Sequence, residues 1–256
     1  MLKIITTLTV FLIGMLAKGQ VVENRNVSEF SKVVVANGIE LIYNEDQSTS
    51  LRIAATNSEI LKNTIAEVDG KTLNIYLTEG TTLTANDMVK VYLSAKDITA
   101  LSANTNAKIT IMNQLNAKNM NINLDSGATL MGNIKALCKT KLRANDNTVF
   151  NGKIETSILK GNFKDNAKIN LTGQAKKAAF QTNDASLLSA KNFVADNIYL
   201  NANGKSVAMV HANNNLALNV SENAKILYTG FPESIKMNEE AQAFKKRDND
   251  RLVSYK

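Results

Sequence analysis

The sequence predicts an all-β fold, a parallel β-solenoid in which short strands wind into stacked coils. One phrase recurs seven times, and it consists of an apolar residue, polar turn formers, a small residue and a further apolar pair. The small residues follow one another at steps of 21, 20, 19, 18, 21 and 18 residues, a period that is typical of solenoids. They are Ala107, Ala128, Thr148, Ala167, Ala185, Ser206 and Ala224.

Within each repeat, apolar residues alternate with polar ones, as at Met120, Ile122 and Leu124. A period of two predicts strands. The segments between the strands are rich in Asn, Asp, Gly and Ser, and the chain holds 34 Asn against one Pro. These residues favour tight turns. Because one coil cannot bury its own apolar face, we expect the coils to stack into a rod of about 34 Å at a strand spacing of about 4.8 Å.

The first 19 residues have the pattern of a secretory signal peptide. Lys3 precedes an apolar run from Ile4 to Leu16, and Ala17 and Gly19 are the small residues before a cleavage point at Gln20. The run is shorter than the roughly 20 residues that span a bilayer, so we expect no transmembrane segment after cleavage. The sequence therefore predicts an exported protein that is periplasmic, associated with the outer membrane, or extracellular.

Residues 27–95 differ from the repeats, because their alternating runs are longer. Asn57 or Ser58 predicts the cap of a short helical turn, and Asp69-Gly70 predicts a hairpin. We interpret this segment as an N-terminal cap and the first coils, since the open end of a sheet needs protection. The predicted organisation is a signal peptide at 1–19, one domain at 20–233 with the repeats at 96–233, and a polar tail at 234–256.

Composition argues against some partners. Loss of Lys3 and Lys18 with the signal peptide lowers the formal charge from +7 to +5. The lysines of the repeats look scattered rather than arranged in a stripe, and the chain has no Trp. We therefore expect no nucleic-acid partner. Cys138 cannot form a disulfide within the chain, and we expect it at a buried apolar position.

Several segments together resemble the head GIN domain family of exported Bacteroidetes proteins, also described as auto-transporter adhesins. The residues that carry the resemblance are Phe30-Ser31-Lys32-Val33, Asn37-Gly38-Ile39, Leu73-Asn74-Ile75, Asp125-Ser126-Gly127-Ala128 and the closing Tyr228 to Pro232. The resemblance covers about residues 27 to 233. It implies a right-handed β-solenoid and an exported protein, and it implies no catalytic residues.

One corner of the coils collects carboxylates: Asp125, Asp146, Asp165, Asp184 and Glu222 lie just before the small residues. Asp146 and Asp165 are on consecutive coils, so their side chains could lie roughly 5 Å apart, as in a retaining glycosidase. The other interpretation is that acids occupy this corner because they suit the turn.

The same corner could offer oxygens to calcium from Asp146, Asn147, Asp165 and Asn166. Calcium loops pack their acids in one short stretch, and that pattern is absent here, so no metal or cofactor is predicted. His211, the only histidine, lacks a His or Cys partner in the sequence and is expected to end a strand.

The preferred hypothesis is a non-catalytic exported solenoid, a binding or adhesion module of the cell envelope whose partner is a glycan, an envelope component or a protein. The alternative is a carbohydrate-active enzyme, a hydrolase or lyase of the β-helix type, that uses Asp146 and Asp165. A deep cleft holding two carboxylates and a basic residue would favour the enzyme. A flat face whose acids cap backbone amides would favour the binding module.

Overall fold

The structure, a computed structural model, describes residues 20–221 and 223–239 and the backbone of 254–255. The predicted signal peptide, Glu222 and most of the predicted tail lie outside the described residues. The N-terminal part contains β1 (Val21–Arg25), β2 (Lys32–Val35), β3 (Glu40–Glu45), β4 (Ser50–Ala55), α1 (Ser58–Asn63), β5 (Thr64–Asp69), β6 (Thr72–Leu77), β7 (Val89–Ala95) and β8 (Ala100–Ala103). The repeats contain β9 (Lys108–Leu124), β10 (Thr129–Ala144), β11 (Val149–Phe163), β12 (Lys168–Thr182), β13 (Leu187–Ala202), β14 (Val207–Val220) and β15 (Lys225–Thr229), and β16 (Ser234–Met237) and β17 (Ser254–Tyr255) follow.

Strands β9 to β14 each run through most of one coil and pair in parallel with the next strand in chain order. Each coil has three sides, which on β10 are residues 129–131, 133–136 and 139–144. The register shifts where one side meets the next, for example between Ala136 and Lys139. This parallel stacking confirms the predicted all-β solenoid. Its handedness stays a prediction.

The core of the rod consists of inward-facing residues stacked in columns. On the third side of the coils, one column runs through Ile122, Leu142, Gly161, Phe180, Leu200 and Leu218. Phe163, Phe180 and Phe193 form an aromatic ladder with ring centroids 6.2 Å apart at each step. A β-carbon on Gly161 would lie 2.4 Å from the Phe163 ring, so the missing side chain makes room for the ladder.

A tight turn precedes each coil, and its central residues reach left-handed backbone angles. Asp146 and Asn147 have φ values of 54° and 58°, and Asp165 has 53°. Asn, Asp and Gly adopt this conformation most readily, which explains why the repeats are rich in them.

The small residue after the turn is buried in the repeats, with one correction to the predicted positions. In the fifth repeat the buried residue is Ser186, whereas Ala185 is exposed. The amide N–H of Ser186 donates to the carbonyl oxygen of Asn183 at 3.2 Å, so the turn closes one residue later than predicted. Asp184 therefore takes the same turn position as Asp146 and Asp165.

Strands β2 and β3 enter the stack out of chain order. β2 pairs with β6 and β8, and β3 pairs with β7 and β9, so this coil lies between β6–β7 and the first repeat. Its turn, Asn37-Gly38, has φ values of 59° and 71° and is followed by the buried Ile39. The turn thus joins the series formed by the seven repeats, although its sequence does not match them.

The remaining N-terminal elements contain the predicted local structures. Asn57 Oδ1 accepts a 2.9 Å hydrogen bond from the amide of Ile60 at the start of α1, and Gly70 has a φ of 57° in the hairpin between β5 and β6. Ile60 and Leu61 of α1 belong to the buried core. That this part acts as a cap stays a prediction.

At the other end, β16 pairs in parallel with β14, and the backbone of β17 pairs with β15. Both strands lie in the segment 234–256, which the sequence indicated as a tail. In the part of the chain that the structure describes, no helix has the length and apolar character to cross a membrane.

Candidate functional site

Four of the carboxylates that the sequence singled out, Asp125, Asp146, Asp165 and Asp184, lie at the turns, and their side chains are exposed. Asp125 Oδ1 accepts a 2.9 Å hydrogen bond from the amide of Ser126, and Asp146 Oδ1 accepts one of 2.8 Å from Asn147 Nδ2. Asp165 Oδ2 lies 3.7 Å from Lys164 Nζ. Each of these contacts is made within the acid's own turn. The acids therefore stabilise the turns, as expected of residues that suit left-handed positions.

Asp146 and Asp165 do occupy equivalent positions on consecutive coils, and Asp184 extends the series to a third coil. Among the described residues, no group of three or more His, Cys, Asp or Glu side chains is arranged to hold a metal ion. Glu222 lies outside the described residues.

Two other singled-out residues depart from the expectations. His211 does not end a strand: it lies inside β14, and its Nδ1 is 2.9 Å from Thr229 Oγ1 on β15. Cys138 is exposed rather than buried, because it lies at the corner where the register between β10 and its neighbours shifts.

The third side of the coils has an unusual distribution of charge. Its outward positions carry six basic side chains: Lys139, Lys141, Arg143, Lys160, Lys177 and Lys236. We call this surface the third face and define it by residues 119–124, 139–144, 158–163, 177–182, 197–202, 215–220 and 234–237. None of these seven segments contains Asp or Glu. The remaining outward positions are mostly Asn, together with Gln181, Ile158, Tyr199 and alanines.

This arrangement corrects the interpretation that the lysines are scattered. In the linear sequence, Lys141 and Lys160 are 19 residues apart, but the register pairs them directly on adjacent strands. The signal was present in the sequence, because aligning the repeats from the turn would have placed these lysines in one column. The inward residues of the alternating pattern predict the core, and the outward residues of the same pattern, compared from repeat to repeat, predict this column.

Two open grooves lie side by side on the third face. One, of about 450 Å³, is lined by basic and amide side chains, among them Lys141, Arg143 and Gln181. The other, of about 530 Å³, is more apolar and includes Ile158, Ala217 and Lys236. Lys160, Ala179 and Tyr199 border both grooves, which therefore form one continuous surface. No carboxylate lines either groove.

Mutual repulsion among the cations is visible at Lys139. The positive charge of Lys160 lowers the pKa of Lys139 from its ordinary value, and desolvation and the charge of Lys141 act in the same direction. The direct neighbours of Lys139 on β9 and β11 are Asn119 and Ile158, neither of which carries a charge. A surface of this kind attracts anions, since an opposite charge relieves the repulsion.

Several solved structures have a fold similar to that of this chain. A crystal structure from Parabacteroides merdae, described as a "putative adhesin", is 18% identical with a TM-score of 0.74, and the match covers 86% of this chain and 93% of that one. A Parabacteroides distasonis structure described as a "putative lipid binding protein" is also 18% identical, with a TM-score of 0.73 and coverage of 85% and 94%. A Bacteroides fragilis "putative adhesin" is 16% identical, with a TM-score of 0.65 and coverage of 86% and 93%.

At these identities the likeness shows the fold alone. No curated protein matches the chain. The profile of the family described as "Putative auto-transporter adhesin, head GIN domain" matches residues 29–232, which is most of the chain. The chain belongs to the head GIN domain family.

Proposed function

We propose that this protein is an exported, non-catalytic binding module of the cell envelope, and that its third face is the surface that binds an anionic partner. The observation that carries the proposal is the charge distribution of that face: it has six basic side chains and no acid in seven stacked segments. Elsewhere on the rod, acids lie close to bases, as where Glu40 lies 3.1 Å from Lys108 and 3.6 Å from Lys90.

The description of the family supports a binding or adhesion role. Among the structural neighbours, one is described as an adhesin and another as a lipid-binding protein. The predicted signal peptide at 1–19 supports export. A rod of stacked coils suits contact with an extended partner, because many weak interactions can be summed along it.

The alternative of a carbohydrate-active enzyme at Asp146 and Asp165 gains no support from the contacts. Those carboxylates interact with their own turns, and the grooves lie on the third face without them. A general acid must lie within hydrogen-bond reach of the bound substrate. Asp146 and Asp165 instead contact residues of their own turns.

The proposal is tested by binding to three immobilised anionic probes: poly-L-glutamate, polygalacturonate and phosphatidylglycerol vesicles. The test variant carries Lys141→Gln, Lys160→Gln and Lys177→Gln. The matched control carries Lys168→Gln, Lys191→Gln and Lys225→Gln, three exposed lysines away from the third face.

We expect the protein to bind at least one probe, to lose that binding in the third-face variant and to keep it in the control. Binding should weaken with added salt, since exposed charges are screened within about 10 Å at 0.1 M. Equal losses in the two variants, or no binding to any probe, would overturn the proposal.

A further inference from the structure

Five consecutive positions in the middle column of the third face, beyond Asn121 and Lys141, have a symmetric order of side chains. Lys160, Ala179, Tyr199, Ala217 and Lys236 follow one another on adjacent strands, each paired directly with the next. The column therefore presents a cation, a gap, an aromatic ring, a second gap and a second cation along the rod.

The partners of Tyr199 on both flanking strands are alanines, whose short side chains leave space on either side of the tyrosine. Tyr199 is 51% exposed, although its strand is central in the stack. Neighbouring strands are about 4.8 Å apart, so Lys160 and Lys236 stand about 10 Å from the tyrosine on opposite sides. A ring that stacks on an aromatic face has its centre about 4.5 to 7 Å away, which fits over each alanine.

Amide side chains flank this column on both sides. Asn197 and Asn215 lie on one side, where Asn215 Nδ2 donates to Asn197 Oδ1 at 2.6 Å. Asn201 and Asn219 lie on the other side, joined by a hydrogen bond of 3.5 Å. Each amide offers both donors and acceptors, and so does each hydroxyl of a sugar.

We infer that the third face binds an acidic glycan, with sugar rings stacked on the two faces of Tyr199 and their anionic groups paired with Lys160 and Lys236. This inference rests on the proposed function, because it names the ligand class for the same surface. The column from Lys160 to Lys236 crosses four strand spacings, or about 19 Å. The ligand is therefore an oligomer or polymer that lies along the rod, rather than a single sugar.

The same residues argue against other anionic partners. A lipid needs apolar surface for its acyl chains, and the described part of the third face has three large exposed apolar side chains, Ile158, Tyr199 and Ile235, two of which are only 38% exposed. Single-stranded nucleic acid needs aromatic rings for successive bases, and among the described outward positions of this face Tyr199 is the one aromatic residue. The amides, by contrast, match a ligand rich in hydroxyl groups.

The experiment compares polygalacturonate with two matched probes. Methyl-esterified polygalacturonate has the same sugars without the charge, and poly-L-glutamate has the charge without the sugars. Phosphatidylglycerol vesicles and single-stranded DNA serve as the lipid and nucleic-acid probes. The variants are Tyr199→Ala, Tyr199→Phe, the pair Lys160→Gln with Lys236→Gln, and the control Met112→Ala, an exposed apolar residue outside the third face.

We expect polygalacturonate to bind at least about tenfold more tightly than either matched probe, a difference of about 1.4 kcal/mol. Tyr199→Ala should remove the advantage over poly-L-glutamate, whereas Tyr199→Phe, which keeps the ring, and Met112→Ala should preserve it. The lysine pair should weaken binding to both polyanions. Because Tyr199 is half-exposed, these changes should leave the urea unfolding midpoint unchanged, which verifies that each variant is folded.

Equal binding of polygalacturonate and poly-L-glutamate, unaffected by Tyr199→Ala, would overturn the glycan inference and leave the anion-binding function standing. Tighter binding of vesicles or DNA than of polygalacturonate would also overturn the glycan inference and leave the anion-binding function standing. If the lysine pair binds every probe as well as the unchanged protein does, the proposed function fails together with the inference.

Discussion

The backbone N–H of Asn147 donates a hydrogen bond of 2.8 Å to the carbonyl oxygen of Asp165 in the turn of the next coil. The same bond joins Gly38 to Thr105, Asn106 to Ser126 and Gly127 to Asp146, each at 2.8 Å. The turns are therefore stacked by hydrogen bonds as the strands are. Left-handed backbone angles are what direct the amide of one turn at the carbonyl of the next.

Replacing Asn147 by valine should destabilise the rod, because a β-branched residue at a φ of 58° pays the steric cost of the left-handed region, about 1–2 kcal/mol. Asn147→Gly is the matched control and should be tolerated, since glycine adopts this conformation freely. Urea unfolding followed by circular dichroism measures both variants. Equal midpoints for the valine and glycine variants would show that the turn conformation does not limit stability.

Gly161→Ala should also destabilise the protein, for a different reason. A β-carbon at this buried position would meet Phe163 at 2.4 Å and Phe180 at 2.9 Å. Overpacking of this kind typically costs about 1–3 kcal/mol. The control is Asn162→Ala, one residue along on the outward side of β11, which should change the unfolding midpoint little. A stable Gly161→Ala variant would mean that the aromatic ladder can shift to admit the methyl group.

Removal of the Lys160 charge should raise the pKa of Lys139 toward its ordinary value, because Lys160 is the largest cause of the depression. Lys191→Gln, which removes a charge elsewhere, should have no effect. Binding of an anionic polymer should raise the pKa of Lys139 as well, since a nearby negative charge favours the protonated amine. Titration of the lysine side-chain signals by NMR measures these shifts, and a pKa of Lys139 that does not respond to Lys160→Gln would contradict the repulsion between the two amines.

The double variant Asp146→Asn and Asp165→Asn should fold and should bind anionic probes no more weakly than the unchanged protein. Both side chains interact within their turns, and asparagine serves equally well at left-handed positions. Removal of two negative charges beside a basic face favours the binding of an anion. A hydrolysis assay on polygalacturonate runs alongside. Cleavage by the unchanged protein that the double variant lacks would revive the enzyme hypothesis.

Much of the fold could be predicted from the sequence, because the features that build it are local. The alternation at Met120, Ile122 and Leu124 predicts the strands, and the Asn-rich segments predict the turns at the corners of the coils. Asn57 gave the cap of α1. The predicted position of a buried residue is wrong by one where two neighbouring residues are both small enough for it. Ala185 and Ser186 are both small, and only the register shows that Ser186 is buried.

The proposed binding surface is harder to predict, because it depends on which residues of neighbouring coils are paired. Lys141 and Lys160 meet only through the register of β10 and β11, and Tyr199 is open only because Ala179 and Ala217 are its partners on the flanking strands. The insertion of β2 and β3 between later strands is not evident in the sequence, since it departs from the expected chain order.

The reactivity of individual lysines shows directly whether a bound anion covers the third face. Acetylation of lysines by a soluble reagent, read by mass spectrometry, is compared with and without saturating polygalacturonate. Our prediction is that Lys141, Lys160 and Lys177 on the third face are protected and that the exposed Lys168 and Lys225 on the first side of the coils react as before. Uniform protection, or protection of Lys168 and Lys225 with the third face still reactive, would contradict it.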